Sequence, residues 1–364
     1  MRVADAAQLP DEQPVQLIDE HGAGVAHERY QQPATATLVA AYADLVKGRR
    51  INEQCNALVR QGRLAVYPSS HGQEACQIAA ASVLGETDWL FPTYRDSVSV
   101  MAKGVSPEDT MVLLRGDWHS GYDSREHRVA PQATPLATQM LHAVGFAHAA
   151  KLRGENTVVL AMCGDGATSE GDFHEAMNFA AVFGLPVVFF VQNNEFAISV
   201  PLSRQTAAPS LAHKAIGYGM HGQRVDGNDM AAVLAVLGEA VSRAREGSGP
   251  TLVEAHTYRM QAHTNADDDT RYREREEVQN WISRDPLSRL RTHLREAGAL
   301  TDADEDRFAA AAEDIAVELR NAMNREVAVD PEELFAHVFA DRPATLSGQW
   351  ALLQDEIVRT EAAA

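Results

Sequence analysis

Short apolar runs alternate with amphipathic segments through the middle of the chain, and this alternation predicts both strands and helices. Runs rich in β-branched and aromatic residues predict strands at 158–163, 186–192 and 251–256. Helical spacing follows at 173–183 and 229–244, and each segment is long enough to form a right-handed crossover between parallel strands. The pattern therefore predicts an α/β fold in which a mostly parallel sheet is flanked by helices on both faces.

The regions outside these strands predict three further helices, at 37–61, 73–84 and 302–327. The last of them is charged and rich in alanine, as expected for a helix with a solvated face. No internal repeat is present in the sequence.

These patterns divide the chain into three parts. Residues 1–35 are polar and show no sustained period, which predicts an extended, partly disordered N-terminal arm. We expect residues 36–285 to form one α/β domain. Residues 286–364 are expected to form a helical C-terminal extension that packs on the same domain.

The three predicted strands lead into polar sequences that suggest a common site. The first ends before Gly164-Asp165-Gly166, the second at Asn193-Asn194, and the third shortly before Tyr258-Arg259. In open parallel sheets, ligands bind beyond the carboxyl ends of the strands. These sequences are therefore predicted to lie around one ligand.

The turn Gly164-Asp165-Gly166 favours a phosphate in two ways and opposes it in one. A glycine-rich turn exposes backbone N–H groups, and the following helix begins with partial positive charge. The Asp165 carboxylate would repel the same anion unless a cation lies between them. Mg²⁺ accepts carboxylate, amide and phosphate oxygens, so Asn194 is a candidate second ligand. A Gly-Asp-Gly sequence alone is also common in ordinary turns, so the interpretation depends on both strand ends.

The whole stretch 164–194, GDGATSEGDFHEAMNFAAVFGLPVVFFVQNN, resembles the signature of thiamine-diphosphate-binding enzymes. More narrowly, residues from about 38 to 286 are similar to the alpha subunit of the decarboxylating first component of 2-oxo acid dehydrogenase complexes. The resemblance implies the thiamine-diphosphate-binding fold, with thiamine diphosphate and Mg²⁺ as cofactors. The thiazolium ring of this cofactor supplies the electron sink that loss of CO₂ from a 2-oxo acid requires.

The resemblance also assigns roles to individual positions. Asp165, Asn194 and the main-chain carbonyl of Phe196 match the family's metal ligands. The family's contacts to the rest of the cofactor correspond to Tyr94, Arg95, Leu136, Gly164, Gly166, Ala167, Arg259 and His263.

Arginine suits a diphosphate because its planar guanidinium meets two phosphate oxygens at once. Arg95 and Arg259 therefore fit the implied role, although a surface salt bridge with Asp96 or a neighbour is an alternative for Arg95. Some relatives carry a further arginine directly before the asparagine pair. This chain has Gln192 there, which can donate a hydrogen bond but adds no charge.

Two histidines are candidate catalytic residues by position. His263 matches the family's active-site histidine, and an imidazole with a near-neutral pKa suits proton transfer. His119 lies where relatives place a substrate-facing histidine, with an ordinary loop histidine as the alternative. The segment 264–275 resembles a loop that mammalian relatives phosphorylate on serine. It contains Thr264 and Thr270 but no serine, which does not indicate kinase control.

Composition narrows the choice of partners. The formal charge of −19, from 32 basic and 51 acidic residues, disfavours nucleic acid and anionic membrane surfaces. The three cysteines show no spacing typical of disulfides or zinc, which is consistent with a reducing cytoplasm. Neither an export signal nor a membrane-spanning run is evident, so we expect a cytoplasmic protein.

The cofactor's pyrimidine ring must be activated by a glutamate, and no residue of this chain can be assigned that role. In the family a separate beta subunit supplies it. The resemblance thus implies an α2β2 heterotetramer bound to a lipoyl-bearing acyltransferase core. The sequences VDGND and ADDDTRYR favour a branched-chain 2-oxo acid such as 3-methyl-2-oxobutanoate, with pyruvate as the alternative substrate.

The sequence features also bear on two other classes of protein. A scaffold that keeps the fold without the chemistry is disfavoured because the residues assigned to the metal and diphosphate are intact. An Mg²⁺-dependent nucleotide enzyme is disfavoured because the chain lacks the lysine of a GxxxxGK(S/T) loop.

Overall fold

The computed structural model describes residues 10–11, 13–116, 120–326 and 330–363. In this part of the chain the strands are β1 Trp89–Phe91, β2 Val159–Gly164, β3 Val187–Asn193, β4 Phe196–Ala197, β5 Val200–Pro201, β6 His221–Asp226 and β7 Thr251–His256. Five of them form a sheet in the order β1-β2-β3-β7-β6, and every pairing in it is parallel. The short strands β4 and β5 form an antiparallel hairpin. The predicted parallel α/β fold is confirmed.

Helices connect and cover these strands. They are α1 Thr35–Arg60, α2 Glu74–Ser82, α3 Ser97–Ala102, α4 Pro107–Arg115, α5 Ser124–His127, α6 Thr138–Leu152, α7 Gly171–Phe183, α8 Met230–Arg245, α9 Arg275–Ile282, α10 Pro286–Glu296, α11 Asp302–Met323, α12 Glu333–Ala336 and α13 Ala344–Ala363. Within the described residues, none of them combines the length and the apolarity that a bilayer crossing demands.

The sheet is buried on both faces, which explains why its central strands are continuously apolar. Alternate residues of β3 point in opposite directions, so Val188 and Phe190 join one core cluster and Phe189 joins the other. Helices α2 and α8 contribute to the first cluster, and α6 and α7 contribute to the second. Burial of each phenylalanine contributes about 1.5–3 kcal/mol, and the resulting rigid sheet positions the loops at its carboxyl edge.

Part of the segment predicted as an N-terminal arm belongs to the packed domain. Val15 pairs in parallel with Val225 of β6, and both Leu17 and Ile18 are buried. The backbone N–H groups of Leu17 and Ile18 donate to one carboxylate oxygen of Asp229, at 2.6 and 2.7 Å. Too few apolar residues occur here to produce a period, so their long-range pairing was not visible in the sequence.

The helices of the C-terminal extension differ in their packing. Helix α11 lies against α1 and begins with a capping box formed by Thr301 and Asp304. It ends at Met323, before position 327, which lies outside the described residues. In α13, Leu352 and Val358 are exposed.

Candidate active site

A cavity of about 420 Å³ lies at the carboxyl edge of the sheet, where the sequence predicted one site. Its lining includes Tyr94, Arg95, Leu136, Gly164, Asp165, Gly166, Ala167, Asn194, Phe196, Arg259 and His263. Every predicted cofactor or metal residue is therefore on this cavity. His119, the second predicted catalytic histidine, lies outside the described residues.

The glycine turn after β2 brings the main chain close to the β4–β5 hairpin. A single 3₁₀ turn, Gly166–Ser169, follows Asp165, and the backbone N–H of Thr168 donates to the Asp165 carbonyl at 3.0 Å. A Cβ atom at Gly166 would lie 2.7 Å from the Cβ of Ala197, closer than real Cβ atoms approach. The hairpin thus requires glycine at this position, a constraint that the motif did not reveal.

The Asp165 side chain is a buried carboxylate with few partners. It is 1% exposed, and Nε2 of Gln205 donates to its Oδ2 at 2.6 Å. Burial raises the pKa of Asp165, the Gln205 hydrogen bond and the N–H of Asn194 lower it, and the nearby Glu195 carboxylate raises it. No cationic side chain among the described residues lies within ion-pair distance of it. The site therefore holds negative charge that a bound cation would stabilise.

Two further oxygens from the loop after β3 accompany this carboxylate. The Asn194 and Phe196 positions line the same cavity as Asp165, and the Phe196 carbonyl accepts a hydrogen bond from Nη1 of Arg259 at 3.3 Å. One carboxylate, one amide oxygen and one carbonyl are all hard donors, which fits Mg²⁺. A single protein carboxylate leaves a divalent ion under-neutralised, so an anionic ligand such as a diphosphate is needed to complete the site. No group of three acidic, histidine or cysteine ligands occurs among the described residues.

A buried chain of side-chain amides determines which way the Asn194 amide points. Nε2 of Gln192 donates to the Asp96 carboxylate at 2.7 Å, and Nε2 of Gln73 donates to the Gln192 oxygen at 3.1 Å. Nδ2 of Asn194 in turn donates to the Gln73 oxygen at 2.9 Å. Because the Asp96 carboxylate only accepts, each amide must present its N–H₂ toward Asp96. The amide oxygen of Asn194 therefore lies on the side away from Gln73, where it accepts the backbone N–H of Phe196 at 3.4 Å and keeps a second lone pair for a cation.

The sequence reasoning missed most of this chain. The sequence suggests Gln192 as an uncharged hydrogen-bond donor at the position of an arginine in some relatives, and Asp96 or a neighbour as a salt-bridge partner of Arg95. In the structure Asp96 is fully buried and bonds to amides and to Thr93. The available signal was a pair of glutamines four residues apart, Gln73 at the N-cap of α2 and Gln77 within the helix.

Two buried arginines line the cavity, and both donate hydrogen bonds to main-chain carbonyls. Arg95 donates to the carbonyls of Ser69 and His263, at 2.8 and 3.0 Å, and is 6% exposed. Arg259 is 1% exposed and donates to the Ile198 carbonyl at 2.7 Å. Burial lowers the pKa of Arg259, and the neighbouring Arg95 lowers it further.

Neither guanidinium forms an ion pair with a described carboxylate, and Nε of Arg259 is buried without a hydrogen-bond partner. Two uncompensated positive charges at one cavity wall favour an anion. The salt bridge between Arg95 and Asp96, weighed from the sequence, is not formed.

His263 lies between these arginines. Its Nδ1 is 3.0 Å from Nη2 of Arg95 and 3.4 Å from Nη1 of Arg259. Since guanidinium groups only donate, Nδ1 is assigned as the acceptor and Nε2 carries the proton. Burial lowers the pKa of His263 to about 4, and Arg95 and Arg259 add to the shift. The two guanidinium groups and burial thus oppose the near-neutral pKa expected for this imidazole from the sequence.

The cavity is open on one side. Leu136, in the turn before α6, is 42% exposed, and Ile198 in the hairpin is 56% exposed. The Leu136 carbonyl accepts from Nε2 of Gln139 at 3.1 Å, and the same nitrogen donates to the Met162 carbonyl at 2.9 Å. These two hydrogen bonds fix the turn to β2, while the apolar side chain of Leu136 stays exposed.

Comparison with known proteins gives a consistent match. The family described as Dehydrogenase E1 component matches residues 43–328. The chain is 48% identical over 352 residues to the 3-methyl-2-oxobutanoate dehydrogenase subunit alpha of Mycobacterium tuberculosis, covering 96% of each chain. It is 36% identical over 345 residues to the pyruvate dehydrogenase E1 component subunit alpha of Staphylococcus aureus, covering 94% of this chain and 93% of the relative.

Proposed function

The chain belongs to the dehydrogenase E1 component family, as an E1 alpha subunit of the 2-oxo acid dehydrogenases, and we propose that it binds thiamine diphosphate with Mg²⁺. The family resemblance drawn from the motifs is confirmed. The proposed reaction is oxidative decarboxylation of 3-methyl-2-oxobutanoate, or a related branched-chain 2-oxo acid, with reductive acylation of a lipoyl group.

The observation that carries the cofactor proposal is the charge arrangement of the cavity. A buried carboxylate without a cation, Asp165, shares one cavity with two buried guanidinium groups that lack carboxylate partners, Arg95 and Arg259. A divalent ion bound to a diphosphate satisfies both kinds of group together. Neither an isolated cation nor an isolated anion does so.

In the proposed complex, Asp165, Asn194 and the Phe196 carbonyl hold the ion. Arg95 and Arg259 orient the diphosphate, and the main chain around Leu136 contacts the pyrimidine ring. When bound, the cofactor supplies the electron sink for decarboxylation.

The diphosphate also changes the electrostatic environment of the His263 imidazole. Its negative charge offsets the two arginines that lower the imidazole pKa, so His263 moves toward a pKa at which it can hold or release a proton. Proton transfer at Nε2 is the proposed role of this ring. His119 remains a prediction for substrate contact.

A partner subunit is needed to complete this site. No glutamate is among the described residues that line the cavity, and its rim at Leu136 and Ile198 is apolar and exposed. We propose that a beta subunit covers this rim and supplies the pyrimidine-activating glutamate, in an α2β2 assembly on a lipoyl-bearing acyltransferase core.

The identities above favour a branched-chain substrate over pyruvate, because the relative named for 3-methyl-2-oxobutanoate is 48% identical and the one named for pyruvate is 36% identical. The two substrates differ by a few methyl and methylene groups. Each such group changes kcat/KM by about 10–200-fold in a hydrophobic pocket.

The test is co-expression of the chain with its beta subunit and measurement of kcat/KM for both substrates with Mg²⁺ and thiamine diphosphate. We expect decarboxylation that depends on both cofactors and at least a tenfold preference for 3-methyl-2-oxobutanoate. A preference for pyruvate would overturn the substrate proposal alone. Absence of cofactor-dependent decarboxylation of either substrate would overturn the proposed function and favour a scaffold.

A further inference from the structure

The loop that carries two proposed metal ligands is held in a backbone conformation that its sequence disfavours. Glu195, between Asn194 and Phe196, has φ of +72°, and Ile198 has φ of +55°. Non-glycine residues in this left-handed region cost about 1–2 kcal/mol each. Such a conformation persists only where surrounding contacts stabilise it.

The Glu195 side chain makes one of these contacts. Its Oε1 lies 2.5 Å from Nε2 of His256, the last residue of β7. A carboxylate only accepts, so Nε2 of His256 is the donor. The contact joins residues 61 positions apart and ties the loop after β3 to the neighbouring strand of the sheet.

The strand end on the other side of this contact packs against aromatic side chains. The His256 ring makes an edge contact with Trp281, with centroids 5.3 Å apart, and Trp281 stacks on Tyr258. The Glu195 main chain is also bonded, since its N–H donates to Oδ1 of Asn193 at 3.2 Å and its carbonyl accepts from the N–H of Leu202 at 2.9 Å.

From this geometry we infer that Glu195 is a positioning residue for the metal site, which acts by holding the strained loop through His256. The inference rests on the proposed function, because it concerns the same cation. Without the side-chain contact, the loop would relax toward φ below zero. Asn194 and Phe196, which both line the cavity, would then shift, and the hydrogen bond from the Phe196 N–H to the Asn194 oxygen would be lost.

The expected consequence is a weaker apparent cation affinity. Affinity falls in proportion to the fraction of protein with the competent loop. When the contact no longer opposes it, a backbone strain of about 1–2 kcal/mol reduces the fraction of protein with the competent loop about 5–30-fold. Glycine at position 195 removes the strain itself, since glycine adopts positive φ without a steric cost.

The experiment uses the chain with its beta subunit and measures the dissociation constant of Mn²⁺ by electron paramagnetic resonance at saturating thiamine diphosphate. We expect Glu195→Ala to weaken Mn²⁺ binding about 5–30-fold. Glu195→Gly should bind within about threefold of the wild type, although it removes more of the side chain. Glu195→Gln should also stay within about threefold, because its amide oxygen can accept from His256.

Two controls separate this role from the alternatives. If the Glu195 charge itself attracts the cation, then Glu195→Gln and Glu195→Gly will both bind as weakly as Glu195→Ala, and the inference is wrong. The double variant Glu195→Ala/His256→Ala should bind Mn²⁺ no more weakly than the weaker of the two single variants. Each single substitution already removes the same contact between Glu195 and His256. Additive losses would also overturn the inference.

A purely structural role is distinguished by thermal unfolding without ligands. It predicts that Glu195→Ala lowers the melting temperature while the Mn²⁺ affinity stays at the wild-type value, a result that contradicts the inference. Failure of the wild type to bind Mn²⁺ with thiamine diphosphate would contradict the proposed function instead.

Discussion

Asp165 and Asp229 are both buried aspartates, but one is fully bonded within the protein and the other is not. Asp229 lies 3.7 Å from the Arg289 guanidinium, and its carboxylate accepts four backbone N–H groups, from Leu17, Ile18, Ala231 and Ala232. Asp165 receives the amide of Gln205 and the N–H of Asn194, without an ion pair to a described residue.

The arginines of the two regions differ in whether a carboxylate balances their charge. Arg289 pairs with Asp226 at 2.9 Å, whereas Arg259 donates to carbonyls and to the Tyr272 hydroxyl. A buried charge without compensation destabilises the native state. The Asp229 region therefore serves folding, and the Asp165 region retains charges that only a ligand compensates.

The largest expected effect comes from Asp229→Ala. It leaves four buried N–H groups without their acceptor and removes one of the two carboxylates beside Arg289, so we expect the free energy of unfolding to fall by about 3–5 kcal/mol. Urea unfolding without ligands measures this change. In the same experiment Asp165→Ala should cost less than about 1 kcal/mol, or stabilise. Equal losses would show that the two regions do not differ.

The next effect concerns ligand-induced stability. Addition of Mg²⁺ and thiamine diphosphate at about 100 times the dissociation constant should stabilise the wild type by about 2.7 kcal/mol. Asp165→Asn, which preserves shape but removes charge, should lose this stabilisation in a thermal melt. Asp172→Asn, in the first turn of α7, is a matched control that should retain it. Retention by Asp165→Asn would contradict the metal assignment.

Arg259→Met should mainly weaken cofactor binding, whereas Arg289→Met should mainly lower the free energy of unfolding. Charged hydrogen bonds contribute about 1.5–3 kcal/mol, so Arg259→Met should weaken thiamine diphosphate binding about 10–100-fold in calorimetry. Arg289→Met should mainly lower stability, with cofactor affinity within about threefold of the wild type. A cofactor affinity that is equally reduced in both variants would remove the distinction.

The smallest effect is the pH dependence contributed by His263. Its folded-state pKa of about 4 lies below the ordinary value of 6.5, so the unfolded chain binds this proton more readily. Stability should therefore fall as pH decreases from 6.5 toward 4. Screening of this partly exposed ring limits the effect to about 1 kcal/mol. The decrease in unfolding free energy should be smaller in His263→Gln; an identical pH profile would place the ring outside the arginine pair's influence.

Much of the fold could be predicted from local pattern. Strands β2, β3 and β7 lie within one residue of their predicted bounds because short runs of mostly apolar and β-branched residues identify strands buried on both faces. Strand β6, His221–Asp226, was not predicted. Its sequence HGQRVD is mostly polar, since it lies at the edge of the sheet and pairs with β7 on one side.

The motifs were enough to predict the cofactor and metal residues, and those that the structure describes all line one cavity. Their supporting contacts could not be predicted. Gln205 bonds to Asp165 across 40 positions and Arg95 meets His263 across 168, and nothing local in the sequence signals either contact.

The sequence by itself determined the parallel α/β architecture, the strand ends that carry the site and the family. These follow from periodicity and from short motifs, which are properties of neighbouring residues. Only the tertiary structure decided which buried charges are compensated, how the Asn194 amide is oriented and why His263 has a low pKa. Each of these depends on desolvation and on partners that are distant in the chain but adjacent in space.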